Sequence, residues 1–542
     1  MATAVRQQTD QFDVIVVGAG INGLGIARDA AERGLRTLLV EQQDFCSGVS
    51  AWSGRLIHGG LRYLEHMEIG LVRESLRERE RLFKLAPHLV KPVKLIMPFY
   101  KKNRRPPWLI WMGMMAYDML SLDKSVSFHR ILGRTNVLAR FNGMAKEGLS
   151  GAALFVDGQI EYAERLCVEL ALAASQAGAD IRIHQKVVGF ANNNGRVSGV
   201  KVEKLDGSVE TVKAKVVINA AGPWVDLVNQ NLETKKTKRL IGGTKGSHII
   251  VDPFPGAPSD VVYYESQADG RLVLVIPWMG RYLIGTTDTK FDEEPDSARA
   301  DNDEIKYLLE EVNTLIPESN LTREKILYTY SGVRPLPYAP GVSEWKIPRS
   351  HIVLDHKAEG LPGLYSIVSG KLTTYRQLAE DAVDLIMKQD FNRKTKCLNK
   401  QAPFPGALET DLVALRQTLL GQAGLAPETL DRLLALYGSR ARFIVELVRK
   451  DSTLGERFDP HSPAIAAELF VAVRFEFAQT LTDVYARRIL LAFEAGHGLA
   501  SVTRASEILS ELLGWNKKEA KENIREYEQW LDHLKVPALS PK

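Results

Sequence analysis

The chain has 542 residues, 45% of them hydrophobic and 25% charged, so it can bury the cores of about three domains. Its net charge of +4 is small for this length, and no dense basic stripe of the kind that nucleic-acid binding requires stands out. The three cysteines, Cys46, Cys167 and Cys397, form no CxxC pair, which argues against a disulfide framework or a metal site. We expect three free thiols in a reducing compartment.

Neither a leader nor a membrane span is indicated. The first ten residues are polar and lack the apolar core of a signal peptide. No run of about 18 apolar residues occurs, so a spanning helix is not expected. We expect the protein to be cytoplasmic, or attached peripherally to the cytoplasmic face of a membrane.

The chain opens with a βαβ unit. Residues 12–17 (FDVIVV) form a short apolar run, which is typical of a buried parallel strand. A helix is predicted from about residue 22 to 33, and a second strand over 36–40. Since the first connection is rich in glycine, the unit is a candidate dinucleotide-binding site.

The glycine run matches the fingerprint GxGxxG. Gly18 permits a tight turn, Gly20 lets the backbone approach a pyrophosphate, and Gly23 lets the helix pack closely on the strand. The N-terminus of the helix offers free N–H groups to phosphates. Glu41, eighteen residues after Gly23, can accept hydrogen bonds from ribose hydroxyls.

Further along the chain, a charged helix is predicted over 69–85, and prolines 87, 92 and 98 then break the sequence into extended pieces. An amphipathic helix is expected over 160–178. Two hairpin-like strand pairs follow over 181–217, with turn sequences NNNG and DG. Alternating apolar and polar residues over 245–290 indicate an antiparallel sheet.

Two later strands also run into small residues. Residues 216–219 (VVIN) precede Gly222, and residues 364–370 (LYSIVSG) precede a helix predicted over about 373–388. Three strand-to-glycine elements over such a length suit FAD better than a modular NAD domain. Ordinary α/β core is the alternative for the last two.

The predicted fold is α/β: a discontinuous Rossmann-like FAD-binding domain, an antiparallel-sheet substrate domain and a C-terminal all-helical domain, since residues 408–535 are almost entirely helical in pattern. The predicted segments are 1–95, 151–235 and 351–400 for the FAD-binding domain, 96–150 for a substrate- or membrane-facing segment, 236–350 for the substrate domain and 401–542 for the helical domain.

Residues 55–65 (RLIHGGLRYLE) narrow the prediction to a particular family of flavin enzymes. This block resembles the flavin-linked, quinone-reducing (aerobic-type) sn-glycerol-3-phosphate dehydrogenase family. Four more blocks agree in order and spacing, and the resemblance covers about residues 12–395: KGSH at 245–248, IGTTD at 284–288, YSGVRPL at 330–336 and GKLTTYR at 370–376. Val49 and Gly54 depart from the family pattern, which has small hydroxyl residues there.

The resemblance implies oxidation of glycerol 3-phosphate to dihydroxyacetone phosphate by FAD. Because the C2 hydrogen is not acidic, we expect it to leave as a hydride to flavin N5 while a base takes the hydroxyl proton. The substrate phosphate carries close to two negative charges near pH 7, so its pocket needs convergent cations. By resemblance these are Arg62, Arg334, Arg349 and Lys371.

Two histidines are candidate bases, because histidine titrates near neutral pH. We favour His58 over His248, since the glycines after His58 allow close approach to the flavin ring. Arg334 would polarise the C2 oxygen. The resemblance and the glycine elements together predict a catalytic set of His58, Arg334 and Lys371, a substrate set of Arg62, Tyr63, His248 and Arg349, and a cofactor set of Gly18, Gly20, Gly23, Glu41, Ser50, Ser53, Gly59, Gly222, Gly370, Lys371, Leu372 and Thr373.

The reduced flavin needs an electron acceptor, and no second redox motif occurs in the sequence. Residues 106–117 (PPWLIWMGMMAY) are strongly apolar and follow a basic run at 101–105. This pattern is typical of a segment that lies in a membrane interface, where lipid-soluble quinone is reached, and it is too short to span. A buried core helix is the alternative interpretation.

Three rival functions stay open. An oxidase would pass electrons to oxygen, although relatives of that kind carry an insertion of some tens of residues that is not found here. An amine or amino-acid oxidase needs one arginine for its substrate carboxylate, and a flavin-binding module would not turn over. The expected partners are glycerol 3-phosphate, quinone and a membrane surface, without nucleic acid, and a homodimer is a further hypothesis.

Overall fold

The computed structural model describes residues 11–232, 238–342 and 347–539. Within these ranges the strands are β1 (Gln11–Val17), β2 (Thr37–Val40), β3 (Leu56–Ile57), β4 (Val90–Tyr100), β5 (Arg130–Gly133), β6 (Leu149–Ile160), β7 (Asp180–Arg182), β8 (Lys186–Asn193), β9 (Arg196–Glu203), β10 (Val209–Asn219), β11 (Thr244–Val251), β12 (Val261–Glu265), β13 (Leu272–Trp278), β14 (Arg281–Gly285), β15 (Thr289–Lys290), β16 (Ile326–Arg334), β17 (Ile352–Asp355) and β18 (Leu364–Val368).

The α-helices in the same ranges are α1 (Ile21–Glu32), α2 (Ile69–Leu85), α3 (Pro107–Met119), α4 (Arg134–Arg140), α5 (Ala163–Gln176), α6 (Val225–Gln230), α7 (Asn302–Leu315), α8 (Tyr375–Gln389), α9 (Leu412–Leu419), α10 (Pro427–Tyr437), α11 (Ala441–Lys450), α12 (Ala466–Phe475), α13 (Leu481–Asp483), α14 (Val502–Leu513) and α15 (Lys517–Trp530). The predicted α/β fold with a C-terminal helical domain is confirmed. No helix in the described part of the chain combines the length and the apolar character needed to cross a membrane.

The first sheet, sheet A, is mainly parallel and has the order β17-β18-β10-β1-β2-β7. Alternate residues of β1 point to opposite faces, as strand geometry requires. Val14 and Val16 pack with residues of α1, α5 and α8, whereas Ile15 and Val17 pack with residues of β8 and β9. Both faces are therefore covered, which explains the continuous apolar run of the first strand.

The two predicted hairpins are confirmed: β8 pairs antiparallel with β9, and β9 pairs antiparallel with β10. They extend β10 backwards from its parallel end, where Val216 and Val217 pair with β1. The same strand thus belongs to the hairpins at its start and to the dinucleotide-binding core at its end.

The second sheet, sheet B, has the order β15-β11-β14-β13-β12-β4-β6-β3, with β16 on β11 and β5 on β6. Within the segment that runs from β11 to β15, neighbouring strands pair antiparallel, as the pattern over 245–290 predicted. In contrast, β12 runs parallel to β4. Sheet B also takes β3 and β6 from segments that the sequence assigns to the FAD-binding domain. The domain boundaries themselves stay a prediction.

The region of prolines 87, 92 and 98 differs from the expectation of separate extended pieces. Pro92 and Pro98 both lie inside β4, which pairs with β6 along its whole length. On its other edge, β4 pairs with β12 only at Leu95 and Ile96. Each proline therefore lies where that edge has no ladder partner among the described strands, a position at which a missing N–H is tolerated.

The helical domain, residues 408–535, packs against the body of the molecule through a buried ion pair. Both guanidinium nitrogens of Arg165 on α5 donate to Glu476, at 2.6 and 2.8 Å, and neither side chain is exposed. Buried charges require such pairing because desolvation is costly. This ion pair thus fixes the position of the helical domain against α5 of the body.

Candidate active site

A cleft of about 410 Å³ runs between the two sheets. One end lies at the carboxyl ends of β1, β2, β10 and β18, where the strand order of an α/β sheet leaves room for a ligand. The other end reaches β11, the loop after β14 and the end of β16. The cleft therefore joins the dinucleotide fingerprint to the polar blocks of sheet B.

Each glycine of the fingerprint is needed for a different structural reason. Gly18 has φ +101°, and a Cβ there would lie 2.9 Å from the carbonyl oxygen of Ala220. A Cβ on Gly23 would lie 1.9 Å from the carbonyl oxygen of Gly18, so only glycine allows α1 to pack on the turn. Gly20 instead opens onto the cleft at the N-terminus of α1.

Glu41 and Ser50 close this end of the cleft around α1. Glu41 accepts hydrogen bonds from the N–H groups of Ala19, at 2.7 Å, and Gln43, at 2.8 Å. Burial raises the pKa of Glu41, and these two hydrogen bonds act in the opposite direction. The hydroxyl of Ser50 accepts from the N–H of Ile21 at 3.1 Å.

Two buried amide oxygens in the cleft wall, Asn22 Oδ1 and Gln185 Oε1, have no hydrogen-bond partner in the described part of the chain. A buried carbonyl oxygen without a donor is costly unless a ligand supplies one, and ribose or adenine donors of a dinucleotide would do so. Together with the N-terminus of α1, these acceptors fit the FAD that the fingerprint and the two later strand-to-glycine elements predict. When bound, FAD supplies the redox chemistry.

The opposite end of the cleft holds a cluster of cations. Arg62, Arg334, Arg349 and Lys371 all line it, as the resemblance implied. Asp288 lies among them and also lines the cleft. Among the described residues, no group of three or more His, Cys, Asp or Glu side chains could hold a metal ion.

Arg334 is held on three sides. Its Nη1 donates to Asp288 Oδ1 at 2.9 Å, and its Nη2 donates to Thr286 Oγ1 at 3.0 Å and to the carbonyl oxygen of Thr287 at 3.2 Å. Arg349 Nη2 lies 3.4 Å from Asp288 Oδ2. Burial alone would raise the pKa of Asp288, but the two arginines lower it below its usual value, so the carboxylate is ionised.

Lys371 lies on the other side of the cation cluster. Its ammonium donates to Ser75 Oγ at 2.8 Å and lies 4.4 Å from the centre of the Tyr63 ring. Burial lowers the pKa of Lys371. Burial acts to raise the pKa of Tyr63, but Lys371, Arg349 and Arg62 together bring it below its usual value.

Both candidate bases line the cleft. Burial and then Lys371 lower the pKa of His58 to about 4, and burial and then Arg334 lower the pKa of His248 to about 3. Both rings are therefore neutral near pH 7 and can accept a proton. The ring centres of His248 and Tyr330 lie 4.9 Å apart, with the ring planes tilted by 39°, and the Nδ1 of His248 has no hydrogen-bond partner among the described residues.

Most of the predicted residues meet in this one cleft. All seven catalytic and substrate candidates line it, as does the cofactor set apart from Gly23 and Gly59. Gly59 instead donates its N–H to Tyr117 Oη at 2.9 Å, and a Cβ on it would lie 2.4 Å from that oxygen. Gly59 therefore allows the backbone to pack closely against α3.

Sequence reasoning missed several residues of the cleft. Asp288 ends the IGTTD block and could have been found there. Gln185, Tyr263 and Arg271 also line the cleft, but Gln185 and Arg271 lie in loops and Tyr263 in β12, and no motif marks these positions. Their place depends on how the two sheets meet.

Comparisons with known proteins support the fold and the cofactor. Residues 13–376 match the family described as FAD dependent oxidoreductase, and residues 397–520 match the C-terminal domain of alpha-glycerophosphate oxidase. The fold and the cleft thus define an FAD-dependent oxidoreductase. A glycerol-3-phosphate dehydrogenase of Synechocystis sp. is 43% identical over 98% of this chain and 98% of its own length.

An aerobic glycerol-3-phosphate dehydrogenase of Staphylococcus aureus is 32% identical and covers 96% of this chain and 94% of its own. The chain belongs to the FAD-dependent glycerol-3-phosphate dehydrogenase family. The solved glycerol-3-phosphate dehydrogenase of Bacillus halodurans, complexed with FAD, has a TM-score of 0.80 at 27% identity and covers 98% of this chain and 97% of its own. A glycine oxidase of Geobacillus kaustophilus shares the fold alone, with a TM-score of 0.52 at 19% identity; the match covers 73% of this chain and 99% of the oxidase.

Proposed function

We propose that this chain oxidises sn-glycerol 3-phosphate to dihydroxyacetone phosphate and passes the electrons from FAD to a membrane quinone. The observation that carries the substrate assignment is the cluster of four cations at the end of the cleft remote from the dinucleotide fingerprint. One carboxylate, Asp288, offsets only part of that charge. A phosphate dianion suits such a pocket, whereas an amino-acid carboxylate needs a single arginine.

The chain's own groups have distinct roles in this proposal. Arg62 and Arg349 bind the phosphate, and Arg334 polarises the C2 oxygen. The neutral imidazole of His58 accepts the C2 hydroxyl proton while the C2 hydrogen leaves with its electron pair as hydride for FAD. One C–H and one O–H bond break and a carbonyl forms; bound FAD would accept the electron pair.

An anaerobic titration of the purified holoenzyme tests the substrate. Glycerol 3-phosphate should bleach the flavin absorbance at one equivalent per active site, whereas glycerol, glycine and proline should not. Glycerol serves as the matched control because it has the C2 alcohol without the phosphate. Equal bleaching by glycerol would contradict the role of the cation cluster, and bleaching by an amino acid alone would favour an amine oxidase.

The proposal of peripheral attachment to the cytoplasmic face of a membrane is supported by α3. Ile110 and Met114 are buried, but Trp108, Trp111 and Met112 on the same helix are 60%, 48% and 53% exposed. An exposed apolar patch of this kind marks an interaction surface. Basic side chains that precede the helix are exposed as well, which suits anionic lipid.

Replacing Trp108, Trp111 and Met112 with serine should release the protein from liposomes and leave dye-linked dehydrogenase activity intact. Ile110 is left unchanged because it is buried. The control is serine at Leu408, an exposed apolar residue remote from α3 in sequence. If the variant binds liposomes as well as the parent does, this surface is not the membrane attachment site. If the variant does not fold, the segment belongs to the hydrophobic core.

An oxidase that uses oxygen is the second candidate, and the match of residues 397–520 to an oxidase's C-terminal domain favours it. The two acceptors are separated by measuring oxygen uptake with and without added quinone. Quinone-dependent turnover with slow oxygen uptake supports the dehydrogenase, and full turnover with oxygen alone supports the oxidase. The proposed homodimer is a separate question, which the mass in solution decides.

A further inference from the structure

The loop between β2 and β3 has two faces. Residues 41–54, called the FAD loop here, line the cleft with most of their members, including Glu41, Ser50 and Trp52. The loop residues that do not line the cleft are all buried: Asp44, Phe45, Cys46 and Ala51. The side of the FAD loop away from the cleft must therefore pack against another part of the protein.

That other part includes the C-terminal helical domain. Arg488 donates two hydrogen bonds to Asp44, from Nη1 at 2.7 Å and from Nη2 at 2.8 Å, and neither side chain is more than 1% exposed. The same guanidinium carbon lies 5.0 Å from the centre of the Phe45 ring. Arg488 Nε donates to the carbonyl oxygen of Glu476 at 2.8 Å, so its orientation is set within the helical domain. A bidentate pair of this kind fixes both position and direction.

A second contact reaches the cleft itself. The ring of Trp530 on α15 stacks on that of Trp52, with centres 5.9 Å apart and an angle of 27°. A third contact is indirect: His184 Nε2 lies 2.8 Å from Asp483 Oδ2, and the backbone N–H of His184 donates to the carbonyl oxygen of Gln43 at 2.8 Å. The helical domain thus holds the FAD loop near its start, at residues 43–45, and near its end, at Trp52.

The FAD-binding fold does not need this domain to be complete. The glycine oxidase fold is matched over 99% of its length by 73% of this chain. The helical domain is an addition to that shared fold. Its contacts with the FAD loop indicate what the domain does. We propose that the C-terminal helical domain takes part in FAD binding, with Arg488 and Trp530 as positioning residues that slow the release of the cofactor.

The test measures FAD release from the holoenzyme, followed by the rise in flavin fluorescence after dilution. Arg488→Gln should increase the release rate by at least about tenfold, since it removes two charged hydrogen bonds from the loop. The matched control is Arg440→Gln. It removes the ion pairs of Arg440 with Glu169 on α5, at 3.2 Å across the same domain boundary, and with Glu476, at 2.6 Å; none of these residues belongs to the FAD loop.

Thermal unfolding of each apoprotein separates a loose loop from a weak domain boundary. Equal release rates in the two glutamine variants would overturn the proposal, because the boundary would then act only on stability. If Arg488→Gln does not fold, two tryptophan variants test the proposal instead. Trp530→Leu should release FAD faster than Trp515→Leu, which changes another partly buried tryptophan of the same domain. Release from Trp530→Leu at the rate of its control would also overturn it.

Discussion

Replacing Arg334 with alanine is expected to abolish most turnover while FAD stays bound. The guanidinium is held at the substrate end of the cleft by Asp288, Thr286 and Thr287, and not by the fingerprint that binds the dinucleotide. A hydrogen bond to a charged group contributes about 1.5–3 kcal/mol. The corresponding fall in kcat/KM is about 10- to 150-fold.

Asp288 allows a sharper version of this prediction. Arg334 and Arg349 both pair with Asp288, so the three groups carry one net positive charge. Arg334→Ala leaves them with none and leaves a carboxylate facing the anionic substrate. Adding Asp288→Asn restores one positive charge without restoring the guanidinium. We expect the double variant to regain part of the loss in KM but little of the loss in kcat.

The assay compares kcat and KM for dye-linked oxidation of glycerol 3-phosphate in the parent and in Arg334→Ala, Arg334→Lys and the double variant. Flavin content is read from the visible absorbance of the same preparations. Arg334→Lys should lie between the parent and the alanine variant, because lysine keeps the charge without the planar fork. Near-parent kcat/KM in Arg334→Ala, or loss of its flavin, would refute the reasoning.

Three further predictions follow from the cleft. Acid precipitation should release all of the flavin into the supernatant, because binding is expected to be non-covalent; a yellow pellet would contradict this. Val49→Thr keeps the shape of the side chain and adds a hydroxyl at the cleft wall, so FAD release should slow about fivefold, the effect of one hydrogen bond; Val49→Ala is the control, and unchanged release would place the hydroxyl out of reach. Lys371→Met removes a cation that lowers the pKa of His58, so the acidic limb of kcat/KM should move to higher pH; a fixed limb would exclude His58 as the titrating base.

The parts of the fold that could be predicted from sequence are those set by local rules. The first βαβ unit follows from an apolar run, a glycine fingerprint and a second apolar run, each within a few residues of its effect. Helix α2 was predicted with the bounds it has, Ile69–Leu85, because its apolar and charged residues alternate with helical period. The continuous strand through Pro92 and Pro98 could not be predicted, because only its pairing with β6 and β12 makes the prolines acceptable.

The candidate site divides in the same way. His58, Arg334 and Lys371 were found because they lie within short blocks that resemble a family, although their roles stay predictions. Gln185 lines the cleft only because the hairpins of sheet A turn back on the fingerprint. The pair between Asp44 and Arg488 joins residues 444 positions apart, so no local pattern announces it. Local sequence thus predicts the chemistry of the cleft better than the support behind it.

The cations that make the cleft suitable for a phosphate also weaken its base, and this has a consequence for pH dependence. Lys371 and Arg62 both lower the pKa of His58 in the free protein, after burial. A bound phosphate dianion would offset those charges and bring the pKa of His58 back towards its ordinary value.

Since kcat/KM reports the free enzyme and kcat reports the enzyme–substrate complex, the acidic limb of kcat should lie at higher pH than that of kcat/KM, the latter near pH 4. The base would then be stronger once its substrate is bound. Coincident limbs, measured from full pH profiles of both parameters, would show that the substrate charge does not reach His58. The phosphate would then have to lie away from Lys371 and Arg62, and the assignment of these two cations would fall with it.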